Sequence, residues 1–268
     1  MSKTELLKAS PDSFVALIPV PWGMDGAALL EEVHGETWFE EARFELTVDE
    51  DEAEGIFAHG RVMLGEEKEV GIVVEAPIDE LLGLASMSRE PFSATELLIL
   101  EKHQAIWRLV LPCQRDRCRR DARLFARLLS TFVEAGAAAV FLPFCLQMHS
   151  PRVIKHLTMD LGEHSNLVNL FVGAFNDEKW MRTRGLTALG LPELETVVDE
   201  GLNAAYFRLM DVAASIILQQ GPFPVGSELQ LGPRLYEITA GPNGPDDPQV
   251  PVAGTYGVHT IGPPSLTP

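Results

Sequence analysis

Positive charge is scarce in this 268-residue chain. Lys and Arg number 21 against 39 Asp and Glu, for a formal net charge of −18. Such a field repels nucleic acid and anionic membranes and attracts basic partners. Cysteine is scarce as well: Cys113, Cys118 and Cys145 are the whole complement. Three thiols cannot form a fully paired disulfide set, so a reducing cytoplasm is expected. The Cys113/Cys118 spacing also departs from the Cys-x-x-Cys pair of a zinc site, and no metal or cofactor is expected. No run of about 18 apolar residues occurs, so no membrane-spanning helix is expected. The start, Met-Ser-Lys-Thr-Glu-Leu-Leu-Lys, lacks the apolar core of a secretory signal. Gly-x-Ser-x-Gly, P-loop, His-Glu-x-x-His and Gly-x-Gly-x-x-Gly are all missing, which lowers the expectation of an enzyme.

Enough remains for a globular protein: 46% of residues are hydrophobic and 22% are charged. The chain can bury one large core or two small ones. Its charge is unevenly placed. Residues 1–100 hold 22 acidic and 6 basic side chains, residues 101–200 hold 12 and 13, and the remainder 5 and 2. An acidic N-terminal third therefore dominates the field.

Periodicity predicts strands at 14–20, 43–48, 60–64, 70–75, 105–112, 138–145, 167–175 and 229–239, with extended chain at 194–198 and a short strand from Thr183. Helices are predicted at 26–34, 80–86, 93–103, 117–136, from Ser150-Pro151 onward, and after Asp199. Ser93 with Glu96 has the form of a capping box, and Ser150-Pro151 that of a helix start. Leu202, Ala205, Tyr206, Leu209, Ala213, Ile216 and Ile217 share one face of the last helix. This order predicts an α+β fold of mixed, largely antiparallel sheets with packed helices. Two ferredoxin-like units are one way to draw it. The expected division is an acidic α+β part at 1–112, a second α+β part at 113–239, and a tail at 240–268. That tail holds seven prolines and no apolar period, so it is expected to be extended or disordered and dispensable for folding.

The most distinctive stretch is 183–195, with Thr183, Gly185, Leu186, Gly190, Pro192 and Glu193, followed by the helix near 200–220 and Gly221-Pro222. It resembles the signature of the bacterial family called domain of unknown function 4261. The resemblance is specific over about 166–235 and fainter over 71–165, at Ala76-Pro77-Ile78 and His149-Ser150-Pro151. It implies a bacterial, intracellular α+β protein and supplies no catalytic residues. On residue chemistry alone, Gly185 and Gly190 suit positive φ or close approach, and Pro192 a rigid exit, so an architectural duty is expected there.

Three other constellations carry chemistry. His149, His156 and Asp160, with Glu163 and His164 nearby, could hold a divalent ion or act as acid and base, though a polar helix face explains them more simply. Arg119, Arg123 and Arg127 form a stripe at four-residue spacing that could bind phosphate, pair with the chain's own acids, or be a solvated face. The acidic run Glu50, Asp51, Glu52 and Glu54 is the expected binding element. The favoured reading is a non-enzymatic cytoplasmic protein that binds a basic protein partner through its acidic third, in an immunity- or chaperone-like role. A small-molecule or metal-dependent enzyme using His149, His156 and Asp160 is the alternative. A structural component docking through its tail is another.

Overall fold

The structure, a computed structural model, describes residues 13–21, 43–48, 56–64, 68–86, 88–113, 117–177, 179–219, 221–241 and 257–264. The acidic run 50–54 and the helix expected at 26–34 lie outside them. The chain divides into two compact units, Met1–Leu161 and Gly162–Pro268. The division expected at 112/113 falls inside the first unit, between a strand and the helix that follows it.

The first unit is built on a sheet of β1 (Ser13–Pro21), β2 (Arg43–Val48), β3 (Ile56–Leu64), β4 (Lys68–Glu75), β5 (His103–Pro112), β6 (Val140–Leu142) and β7 (Gln147–His149). Their order is β2-β3-β4-β5-β1-β6-β7, and each pairing is antiparallel. β1 runs beside β5 from Ser13↔Pro112 to Pro21↔His103. Phe14 through Val20 are apolar without a break apart from Pro19, and β1 is buried along nearly its whole length. Both faces of the strand are therefore covered. Leu17 joins Leu81, Phe92, Leu100, Ile106 and Phe141 in one cluster. Phe14 stacks on Phe125 at 5.7 Å, and Trp107 meets Phe132 edge-on at 5.7 Å.

Among the described residues of this unit are four helices: α1 (Leu81–Ala85), α2 (Ala94–Glu101), α3 (Cys118–Glu134) and α4 (Pro151–Thr158). The expected capping box at α2 is present: the Ser93 Oγ accepts from the Glu96 amide at 3.2 Å, and Glu96 Oε2 accepts from the Ser93 amide at 2.7 Å. The Ser150 Oγ caps α4, with Pro151 in the first turn. The strand expected at 138–145 is shorter. Pro143, which has no amide hydrogen, ends β6, and Leu146 at φ 52° turns the chain back into β7.

The second unit has α5 (His164–Phe171), β8 (Gly173–Asp177), β9 (Trp180–Arg184), a 3₁₀ turn at Thr187–Leu189, β10 (Glu193–Val197), α6 (Leu202–Leu218), β11 (Glu228–Leu231), β12 (Arg234–Ala240) and β13 (Val258–Gly262). The sheet order is β11-β12-β13-β10-β9-β8. β10 and β13 are parallel, and the other pairs are antiparallel. Both sheets exceed the four strands of a ferredoxin-like unit, and in the first β3, β4 and β5 are neighbours in chain order.

Three expectations change here. The apolar run 167–175 is a helix up to Phe171 and a strand only from Gly173. Leu167, Val168, Leu170 and Phe171 are all buried at helical spacing, and Glu163 caps the start by accepting from the Ser165 amide. The run 229–239 is a hairpin, because Gly232 at φ 59° with Pro233 makes a two-residue turn closed by Leu231↔Arg234. The tail is extended where it is described, but part of it belongs to the sheet. Val258–Gly262 is an inner strand, with Ile261 fully buried.

Candidate functional site

The stretch 183–195 is organised by one side chain. Glu193 is 3% exposed. Its Oε1 accepts from the amides of Gly185 (2.9 Å) and Thr187 (3.0 Å) and from the Thr187 hydroxyl (3.1 Å). Its Oε2 accepts from the Thr183 hydroxyl at 2.7 Å. A buried carboxylate needs such donors, because desolvation without them is costly. The Thr183 Oγ1 in turn accepts from the Leu194 amide at 2.7 Å. Gly190 takes φ 75° and ψ 25° to close the 3₁₀ turn, a left-handed conformation that suits glycine. Two positions on from Glu193, Glu195 is fully buried and receives Arg182 Nε at 3.1 Å and the Thr260 hydroxyl at 2.6 Å. The Thr196 hydroxyl donates to the Ile261 carbonyl at 2.8 Å and accepts from Arg208 Nη1 at 2.8 Å. Arg208 also reaches Asp199 and stacks on Tyr236 at 4.5 Å. These polar groups spend their bonds inside the unit, which gives the stretch the architectural duty its glycines suggested.

His149 ends β7 and is buried, while His156 and Asp160 are exposed beyond it. Among the described residues, no group of three or more His, Cys, Asp or Glu side chains could hold a metal ion. The arginine stripe is partly committed. Arg123 Nε donates to the Leu161 carbonyl at 3.0 Å. Burial, and then the charge of Arg123, push Arg119 below its ordinary pKa. Arg127 lines a cavity of about 330 Å³ with Lys155, Glu134, Ser130 and Thr158. Its charges are mixed, and its hydroxyls bond to the helices themselves: Thr158 donates to the Ile154 carbonyl at 2.8 Å and lies 3.1 Å from the Ser130 hydroxyl, and Thr131 donates to the Arg127 carbonyl at 3.1 Å.

A second concavity lies in the acidic third, between α1 and α2. It holds about 620 Å³ and is lined by Leu82, Ala85, Pro91, Phe92, Leu97 and Leu98, with Ser86, Ser88 and Glu101 as polar members. A five-residue α1 has room to bury only Leu81 and Ala85, which leaves Leu82 39% exposed. In α2 the run Leu97-Leu98-Ile99-Leu100 is apolar all round. Leu100 is buried, whereas Leu98 and Ile99 remain 49% and 39% exposed. Helices that are apolar all round usually lie inside a protein, so this one leaves an apolar surface uncovered.

Both helices are fixed from behind. The buried His103 accepts from the Ile78 amide through Nε2 (3.0 Å), which places its proton on Nδ1 for donation to the Leu100 carbonyl (2.7 Å). The Ser88 hydroxyl donates to the Met148 carbonyl at 2.7 Å. The groove-forming segment 79–102 carries Asp79, Glu80, Glu90, Glu96 and Glu101 against Arg89 and Lys102. Burial acts to raise the Glu96 pKa. Hydrogen bonds from Ser93 and Ser150 and the charge of Arg152 outweigh it, so the carboxyl sits below its ordinary value.

The sequence reading missed this groove. Its signal was available in 97–100, where four consecutive large apolar residues exceed what a short surface helix can bury. Comparison with family models, curated proteins and solved structures finds no match.

Proposed function

We propose that this protein is a non-catalytic binding module that takes a basic, amphipathic segment of another protein into the groove between α1 and α2. The observation that carries the reading is an apolar trough of about 620 Å³ in a segment, 79–102, with five acidic and two basic side chains. An amphipathic helix with apolar residues at i, i+3 or i+4, and i+7 fits such a trough, and Lys or Arg on its flanks meets the acids. The acidic run Glu50, Asp51, Glu52 and Glu54 adds to the same field and is expected to speed encounter rather than to hold the complex. An immunity- or chaperone-like role suits this chemistry. Membership of the domain of unknown function 4261 family is part of the proposal. Its support is that two of the residues quoted for the resemblance, Thr183 and Gly185, hydrogen-bond to a third, Glu193.

The test uses fluorescence anisotropy with the full chain and two labelled helical peptides. They share an apolar face and carry either Lys/Arg or Glu on the polar face. The basic peptide is expected to bind and to weaken with salt, and Leu98→Glu to weaken it at least about tenfold, or about 1.4 kcal/mol, at an unchanged melting midpoint. Equal behaviour of the two peptides, or indifference to Leu98→Glu in a folded protein, overturns the reading.

A further inference from the structure

The α2 wall of the trough is Ala94, Leu97, Leu98 and Glu101, the i, i+3, i+4 and i+7 positions that share one helical face. The wall therefore runs the whole length of α2, and Glu101, the last helical residue, stands at one end of it. Among the described residues that line the trough, Glu101 is the only charged one. The two lining hydroxyls are committed inside the protein: Ser86 donates to the Gly83 carbonyl at 2.6 Å and Ser88 to the Met148 carbonyl at 2.7 Å. The acids at the other end of α2 are engaged as well. Glu90 lies 3.9 Å from Arg152, and Glu96 accepts from the Ser93 amide at 2.7 Å. Glu101 differs: among the described residues its carboxylate has no hydrogen bond or ion pair. Lys102 is next in the chain, but consecutive helical residues do not face each other. A carboxylate at the C-terminal end of a helix also opposes the helix dipole, so helix stability does not explain Glu101.

We propose that Glu101 is the specificity-determining residue of the trough and accepts one Lys or Arg of the bound segment, an inference that rests on the trough being the binding groove proposed above. Apolar contact with Leu97 and Leu98 is non-directional and leaves the segment free to slide along the wall. One carboxylate at one end removes that freedom. It fixes the register in which a single cation of the segment lies one helical turn from the side chain seated on Leu98. The negative end of the α2 dipole adds to the potential that the cation meets. At the opposite end the same cation finds Glu90 already beside Arg152. Glu101 is exposed, so the pair it forms is a rim contact that selects among segments more than it tightens the complex.

The test measures fluorescence anisotropy of the full chain, wild type and Glu101→Gln, with the labelled basic helical peptide. A series of peptides in which each Lys or Arg is changed in turn to Gln is measured beside it. One replacement is expected to weaken binding to the wild type about threefold, the size of an exposed ion pair, and to leave Glu101→Gln indifferent. The other replacements weaken both proteins alike. Glu101→Gln is also expected to keep or raise the melting midpoint, since it takes a negative charge from the helix end. If every replacement weakens the two proteins alike while Leu98→Glu still weakens binding, the role of Glu101 is overturned and the groove stands as a binding site. If the basic peptide does not bind the wild type, the groove and the role of Glu101 fall together. A lower midpoint for Glu101→Gln overturns the inference as well, because it shows that the carboxylate serves the fold.

Discussion

At the scale of single residues, Glu193 carries more of the second unit than any glycine in the stretch around it. Glu193→Ala leaves the buried amides of Gly185 and Thr187 and two hydroxyls without their acceptor, and about 3–5 kcal/mol of stability is expected to go with it. Denaturant melts check this, and a loss under about 1 kcal/mol means that water replaces the carboxylate. Gly190 acts through its backbone. With φ at 75°, Gly190→Val is expected to cost roughly 1–3 kcal/mol, and Gly190→Asn clearly less, because Asn tolerates the left-handed region. Equal costs for the two variants would point to a steric cause instead. The glycine's duty was legible in the sequence, since positive φ is written in residue type. The carboxylate's was not. Glu193 reads as a surface residue until the chain folds back through ten residues to bring Thr183 against it.

Among the elements, β13 separates expectation from outcome most sharply. Its five residues lie among glycines and prolines, with no helical period and too short an alternation to register as a strand. Their place is set by partners far away in sequence, Glu195 and Thr196, each 65 residues from its hydrogen-bond partner. The elements that were legible, β1, β5, α3 and α6, are long and locally patterned. Ending the chain at Ala240 is expected to break the second unit: β10 and β12 lose their shared neighbour, and Glu195 loses the Thr260 hydroxyl. Hydrogen exchange should show β9, β10 and β12 unprotected, and a melting midpoint within a few degrees of full length would instead return the tail to a dispensable role. The α2 cap gives a pH signature. Because Glu96 titrates below its ordinary value in the folded state, its contribution is fully present above the unfolded-state pKa of about 4.3 and is lost as pH falls through the folded value. Between about pH 6 and about pH 3 the wild type should therefore lose more stability than Glu96→Gln, and parallel losses in urea melts would assign the decline to other carboxylates.

For the whole molecule, the decisive quantity is a net charge of −18 concentrated in residues 1–100. Self-repulsion of this size opposes the compact state. Added salt screens it over about 10 Å at 0.1 M, so the melting midpoint is expected to rise with sodium chloride. A midpoint that falls with salt would show that ion pairs such as Lys68–Asp121 and Arg108–Glu75 outweigh the repulsion. The charge imbalance by itself points to a basic partner, but not to where that partner would sit. The groove depends on where α1 and α2 are held, and the bonds from Ile78 to His103 and from Ser88 to Met148 that hold them span 25 and 60 residues.

The position of β13 bears on how the protein is made. β10 and β12 both leave the ribosome before the strand that lies between them. Until 258–262 follow, the growing chain presents two open strand edges that face a gap only one later segment can fill. Pairing across so long a stretch of chain is slow, because loop closure comes before the bonds that reward it. During that interval the edges are available to other nascent chains. A translational pause just upstream of Val258 would therefore lengthen the period of greatest aggregation risk without altering a single contact of the finished fold.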